Sequence, residues 1–167
     1  MEKVIFLDID GVIAIREDLN EVNKGLRNNY SKYVYQGTIQ DNLYLTWTYC
    51  NYDKIRNLLW IAQSTGAEVI ATSSYADQGE WPYVAERLRN YGLSVSPHIL
   101  TSHDRAIAIL DYVKECNVDT YVILDDSIFV GYRKLVDHLV WTNNYDKDGG
   151  LTYEKAEEAI YILNRTN

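Results

Sequence analysis

The chain has 167 residues, 47% of them hydrophobic, which is enough to bury the core of one domain, so we predict a single domain over residues 1–167. The formal net charge of -8, without a basic run, argues against strong non-specific binding of nucleic acid. No apolar run reaches the ~18 residues of a membrane span, and the first residues do not resemble a signal peptide, so we expect a cytoplasmic protein.

The first predicted element is the apolar stretch "VIFLDIDGVI", Val4 to Ile13. Its first half is branched and aromatic and has no polar face, which is typical of a fully buried central strand in a parallel sheet. Asp8, Asp10 and Gly11 come at its end. Because burying an unpaired charge costs several kcal/mol, we expect the two carboxylates to lie where the strand emerges into a functional site.

The range 15–52 follows, and it is longer than an ordinary loop. It carries scattered basic residues among asparagines and tyrosines. Within it, "NLYLTWTY" alternates apolar with polar or tyrosine side chains, as a strand or hairpin does. We therefore predict an insertion between the first strand and the next helix.

Helices and buried strands alternate over the rest of the chain. An apolar helical stripe that ends at Gly66 leads to a second buried strand, "AEVIATSS", which runs into hydroxyl side chains. Pro82 suits the first turn of the following helix, and Gly92 marks its end.

A third helix is predicted in "RAIAILDYV", where Ser102 or Asp104 can provide the N-cap and Ile107, Leu110 and Val113 are expected to face the core. It leads to a third buried strand, "TYVILDD". The stretch "HLVWT" is predicted as a fourth strand, and a last helix follows "GGLT". This alternation predicts an α/β domain with a central parallel sheet and helices on both faces.

Polar residues cluster at the ends of three predicted strands, and ligands of open α/β sheets bind at that edge. They are Asp8 with Asp10, Thr72 with Ser73, and Asp125 with Asp126. Like-charged carboxylates about 4 Å apart repel by roughly 4 kcal/mol per pair at an effective dielectric near 20, so four of them require a cation. Oxygen ligands favour Mg²⁺, which accepts a few carboxylates and keeps several waters.

These motifs resemble those of the haloacid dehalogenase (HAD) superfamily of phosphatases. "FLDIDGVI" is similar to its first motif, "VIATS" to its second and "VILDDS" to its fourth, and Arg105 stands where the third motif has a basic residue. The late "GGLTYEKAEEAI" brings the resemblance closer to the HAD domain of Swiss Army Knife RNA repair proteins. The resemblance implies a three-layer Rossmann-like α/β fold in which the range 15–52 is a small cap or flap.

The resemblance also implies catalytic roles. Asp8 would be the nucleophile that becomes an aspartyl phosphate, and Asp10 would be the general acid and then the general base. Thr72 would donate a hydrogen bond to a phosphoryl oxygen, and Arg105 would neutralise the charge of the transferred group. The presence of Asp10 favours phosphatase over dehalogenase chemistry, because an alkoxide leaving group needs a proton.

Phosphate binding and metal binding are assigned on the same basis. Gly11 permits a sharp turn and close backbone approach, so it joins Thr72, Ser73 and Arg105 as an expected phosphate-binding residue. The expected Mg²⁺ ligands are the four acids, with Asp10 acting through its backbone carbonyl. The sequence leaves open which acid of the Asp125–Asp126 pair binds the metal directly.

Three interpretations remain. The first is a Mg²⁺-dependent phosphohydrolase whose substrate is a nucleotide, a nucleic-acid end or a small phosphorylated metabolite. The second is a catalytically idle HAD-fold binding or regulatory protein, although such a protein would not need both Asp8 and Asp10. A nucleotide-sugar site with a D-x-D motif is the third, and it is weaker because that motif normally follows several strands.

Overall fold

The structure is a computed structural model that describes residues 2–15, 52–73, 81–96, 104–143 and 148–165. Its strands are β1 (Lys3–Leu7), β2 (Glu68–Ala71), β3 (Val95–Ser96), β4 (Thr120–Asp125) and β5 (Leu139–Trp141). Its α-helices are α1 (Tyr52–Thr65), α2 (Trp81–Asn90), α3 (Arg105–Glu115) and α4 (Tyr153–Asn164), and two 3₁₀ helices, Val130–Lys134 and Val136–His138, precede β5. The predicted alternation of strands and helices is confirmed.

The five strands form one parallel sheet in the order β3-β2-β1-β4-β5. β1 lies at the centre, paired with β2 on one side and β4 on the other, as the apolar run that follows Lys3 predicts. Leu7 at the end of β1 lies beside Ala71 of β2 and Leu124 of β4. The residues that follow these positions therefore emerge at one edge of the sheet.

Helices cover both faces of the sheet. Successive side chains of a strand point to opposite faces, so Ile5 of β1 packs in one apolar cluster, together with α1 and α4, and Phe6 packs in another, together with α3. Both side chains are completely buried. This three-layer α/β arrangement confirms the predicted fold class.

The predicted inward face of α3 is wrong. Ala106 and Ile109 are buried, whereas Ile107 and Leu110 are 57% and 42% exposed, and only Val113 of the predicted set packs partly against the core. The side chain of Asp104 caps the helix by accepting hydrogen bonds from the first turn. Arg105, the first residue after this cap, contacts acids at the sheet edge, and with the helix in that orientation Ala106 and Ile109 face inward.

The predicted insertion over 15–52 lies, apart from its first and last residues, outside the described residues. Among the helices of the described ranges, none is long and apolar enough to cross a membrane.

Candidate active site

Three carboxylates meet where β1 and β4 end. Asp8 follows β1, Asp125 is the last residue of β4 and Asp126 comes next, and each offers an oxygen within 4.8 Å of the others. The Asp8 backbone N–H continues the ladder by donating to the Leu124 carbonyl at 2.9 Å, which fixes the two strand ends side by side. The sheet thus brings together three of the four acids that the sequence predicts at this edge.

Arg105, the first residue of α3, reaches into this acid group. Its Nη1 lies 2.6 Å from Asp125 Oδ2 and 3.1 Å from Asp8 Oδ2. Burial acts to lower the pKa of Arg105, but the two carboxylates outweigh that effect and raise its pKa above the ordinary value. The guanidinium is therefore charged, and it balances one of three carboxylates, which leaves a local negative charge that attracts a divalent cation.

Burial raises the pKa of Asp8 from 3.8 to about 6 in the absence of a metal ion. Desolvation is the largest cause, Arg105 opposes it, and the charge of Asp125 adds to it. The Ile9 backbone N–H also stabilises the carboxylate by donating to Oδ1 at 2.9 Å. Asp8 is thus mainly ionised at neutral pH, which a nucleophile requires.

Asp125 is fully buried, and protein donors occupy both of its oxygens. Oδ1 accepts from the Ser127 backbone N–H at 2.8 Å, and Oδ2 accepts from Arg105 and, at 2.9 Å, from the Tyr132 hydroxyl. Asp126 is only partly buried, and its Oδ1 accepts from the Ser127 hydroxyl at 3.1 Å. The adjacent acids therefore have different surroundings.

Gly11 has a φ of +72°, and a Cβ there would lie 2.3 Å from Asp126 Cγ. Its N–H donates to the Ala14 carbonyl and its own carbonyl accepts from the Thr142 hydroxyl, both at 2.7 Å. Glycine is required here because the Asp126 side chain lies directly against the backbone. A contact between Gly11 and phosphate stays a prediction.

Asp10, which precedes Gly11, has an exposed side chain. Its carboxylate is not one of the three that converge, and its backbone forms a bridge with Ala14. The exposed carboxyl of Asp10 is accessible for proton exchange, unlike the buried carboxylates of Asp8 and Asp125.

Thr72 and Ser73 are both buried, at 0% and 1% exposure. The Thr72 N–H donates to the Leu7 carbonyl at 2.8 Å, which places Thr72 beside Asp8 in the register of β1 and β2. Its Oγ1 has no hydrogen-bond partner among the residues that the structure describes. A buried hydroxyl left without a partner costs about 1–3 kcal/mol, so this position is ready to bind a ligand oxygen.

Sequence reasoning missed Tyr132, Thr142 and Trp141. Tyr132 is one of 15 tyrosines and has no distinguishing neighbours, and Thr142 contacts a residue 131 positions away, so local patterns contain no signal for either. The Trp141 indole N–H donates to the Asp126 backbone carbonyl at 2.8 Å. Ser127 lies in the quoted "VILDDS" and could have been found there.

A family model described as the HAD domain in Swiss Army Knife RNA repair proteins matches residues 4–156. The match includes every residue discussed above for the site. No curated protein and no solved structure matches the chain.

Proposed function

Because the chain belongs to the family of HAD domains found in Swiss Army Knife RNA repair proteins, we propose that it is a Mg²⁺-dependent phosphohydrolase that acts through an aspartyl-phosphate intermediate. The observation that carries the proposal is the convergence of the Asp8, Asp125 and Asp126 carboxylates within 4.8 Å, with the Arg105 guanidinium bound to two of them. A buried carboxylate, a fixed guanidinium and a hydroxyl with no partner among the described residues are groups that phosphoryl transfer can use.

The donor set fits Mg²⁺, because it consists of carboxylate oxygens and carries more negative charge than Arg105 neutralises. We assign the direct contacts to Asp8 and Asp126 and to the Asp10 backbone carbonyl. Both Asp125 oxygens already accept hydrogen bonds from the protein, so Asp125 would act on the metal through water. When bound, Mg²⁺ would neutralise charge on the phosphoryl oxygens.

In the first proposed step, a carboxylate oxygen of Asp8 attacks phosphorus, the bond to the ester oxygen breaks, and Asp10 gives its proton to that leaving oxygen. In the second step, Asp10 takes a proton from a water molecule, the water oxygen attacks phosphorus, and inorganic phosphate leaves with Asp8 restored. The exposed position of Asp10 supports this assignment, because the leaving group and the water must both reach it.

Arg105 and Thr72 are proposed to hold the phosphoryl oxygens during both steps. Arg105 supplies positive charge, and Thr72 Oγ1, which has no partner among the described residues, supplies a hydrogen-bond donor at the end of the neighbouring strand. Ser73 and Gly11 are proposed as further phosphate contacts.

The proposed substrates are a phosphorylated nucleic-acid end, a nucleotide or a small phosphorylated metabolite. The family description, which names RNA repair proteins, favours the first of these. The net charge of -8 disfavours binding along a phosphate backbone, so a phosphorylated end is the part of an oligonucleotide that we propose as substrate. A turnover screen over 3′- and 5′-phosphorylated oligonucleotides, nucleotides and sugar phosphates distinguishes the classes.

The test of the chemistry compares wild type, Asp8→Asn and Asp111→Asn with an aryl phosphate, with and without Mg²⁺. Asp111 is exposed on α3, so Asp111→Asn makes the same chemical change away from the site. We expect Mg²⁺-dependent turnover in wild type and Asp111→Asn and none in Asp8→Asn. Undiminished turnover in Asp8→Asn would exclude Asp8 as the nucleophile, and absence of turnover with every substrate class would favour an idle HAD-fold binding protein.

A further inference from the structure

Tyr132 shares a carboxylate oxygen with Arg105. The tyrosine is 1% exposed, and its hydroxyl donates to Asp125 Oδ2, the same oxygen that accepts from Arg105 Nη1. Since one oxygen divides its negative charge between two donors, the hydroxyl limits how strongly Asp125 attracts the guanidinium. The position of Arg105 is therefore coupled to Tyr132 through the carboxylate oxygen that they share.

Phe129 contacts Arg105 from another direction. The centre of its ring lies 4.9 Å from Arg105 Cζ, close enough for a cation–π interaction. The Phe129 ring also packs edge-to-face against the Tyr132 ring, with the two ring centres 5.3 Å apart and an interplanar angle of 83°. The two aromatic rings thus support one another and the guanidinium.

Gly131 allows this segment to approach the helix that carries Arg105. A Cβ at Gly131 would lie 2.5 Å from the Cβ of Ala106 and 3.2 Å from Asp104 Oδ1. The backbone therefore packs directly on the first turn of α3. Phe129, Gly131 and Tyr132 together form what we call the aromatic clamp.

We propose that the aromatic clamp positions the Arg105 guanidinium for phosphate, with Phe129 and Tyr132 as positioning residues. The inference rests on the proposed function, in which Arg105 binds the phosphoryl group. Without the Tyr132 hydroxyl, Asp125 Oδ2 binds Arg105 more strongly and draws it away from an incoming anion. Without the Phe129 ring, the guanidinium loses the surface that fixes its plane.

The test measures the affinity for inorganic phosphate in the presence of Mg²⁺ by calorimetry, together with KM and kcat for an aryl phosphate. Tyr132→Phe removes the hydroxyl and keeps the ring. The matched control is Tyr121→Phe, because Tyr121 is a buried tyrosine of the same apolar cluster that contacts Phe6 and His138 near the start of β4. It lies four positions before Asp125 on the strand, about 13 Å away.

We expect Tyr132→Phe to weaken phosphate binding and raise KM about ten-fold, because Asp125 then competes more strongly with phosphate for Arg105, with kcat lowered less than three-fold. Tyr121→Phe should keep wild-type values. A merely structural role of Tyr132 would lower the stability of Tyr132→Phe without a selective change in its KM.

Phe129 provides a second variant, which removes no buried hydroxyl. Because its side chain is 38% exposed, a substitution there disturbs the core less. Phe129→Leu should weaken phosphate binding several-fold, and Phe129→Tyr, which keeps an aromatic face, should restore it.

Two outcomes overturn the inference in distinguishable ways. If wild type binds phosphate and turns over the aryl ester, but Tyr132→Phe and Phe129→Leu bind phosphate within two-fold of Tyr121→Phe, the clamp does not position Arg105. If wild type neither binds phosphate nor shows turnover, the proposed function fails and the inference fails with it.

Discussion

Gly11→Ala tests whether the first loop is shaped by the Asp126 side chain. A methyl group at Gly11 would lie 2.3 Å from Asp126 Cγ, so the carboxylate must move by more than about 1 Å to reach ordinary contact. Alanine at a positive φ costs roughly 1–2 kcal/mol, and the overpacked contact adds roughly 1–3 kcal/mol. A carboxylate displaced by about 1 Å can lower kcat/KM by about 100-fold.

Gly66→Ala separates the cost of alanine at a positive φ from the cost of the contact with Asp126. Gly66 has a φ of +70°, nearly the same as Gly11, but a Cβ there would have no atom of the other described residues within 4 Å. Urea unfolding and Mg²⁺-dependent aryl phosphate turnover are measured for both variants. We expect Gly66→Ala to lose only the backbone contribution and to keep full activity. If Gly11→Ala and Gly66→Ala had equal stability and equal activity, the contact with Asp126 would not be the reason that position 11 needs glycine.

Three further predictions concern the same edge of the sheet. Asp10→Asn should slow alkyl phosphates by about 10²- to 10⁴-fold and activated aryl phosphates much less, and equal losses in kcat for both ester types would count against Asp10 as the acid. Thr142→Val should lower the free energy of unfolding by about 1–3 kcal/mol, because it leaves the Gly11 carbonyl unpaired, whereas Thr142→Ser should not; identical urea curves for both would disprove the contribution of this hydrogen bond. Because the pKa of Asp8 is raised from 3.8 to about 6, protonation of Asp8 stabilises the metal-free fold. This contribution to the free energy of unfolding is complete below about pH 4 and is lost as pH rises through about 6. In EDTA, wild type should therefore lose about 1.4 kcal/mol more than Asp8→Asn between about pH 5 and 7.5, and parallel pH profiles would contradict the raised pKa.

The positions at which β1 and β4 end could be predicted from the sequence, because the buried apolar residues of each strand give way there to acidic residues. A short run of branched and aromatic residues such as Val4–Leu7 indicates a buried strand, and parallel strands bring their carboxyl ends to one edge. The positions of Asp8 and Asp125 follow from that alone. Arg105 was predicted only as a basic residue in a suitable place, and its contact with both acids depends on the Asp104 cap, which sets where α3 begins.

The partners of the buried acids could not be predicted, because they depend on tertiary contacts. Tyr132 reaches Asp125 through a short 3₁₀ helix whose sequence, "VGYRK", contains no motif. The exposure of Ile107 and Leu110 has the same origin, since periodicity finds an apolar stripe but does not tell which side of it faces the sheet.

The late "GGLT" acquires a physical explanation from the loop that carries Asp10. The Leu151 N–H donates to the Val12 carbonyl at 2.8 Å, and a Cβ at Gly150 would lie 2.7 Å from that same oxygen. Thr142 holds the Gly11 carbonyl from the end of β5. Residues more than 130 positions later thus donate hydrogen bonds to two successive carbonyls of the first loop. A small residue is needed at Gly150 because the two backbones touch there. We conclude that these late residues contribute to the site by fixing the backbone beside Asp10, although their own side chains bear none of its charges.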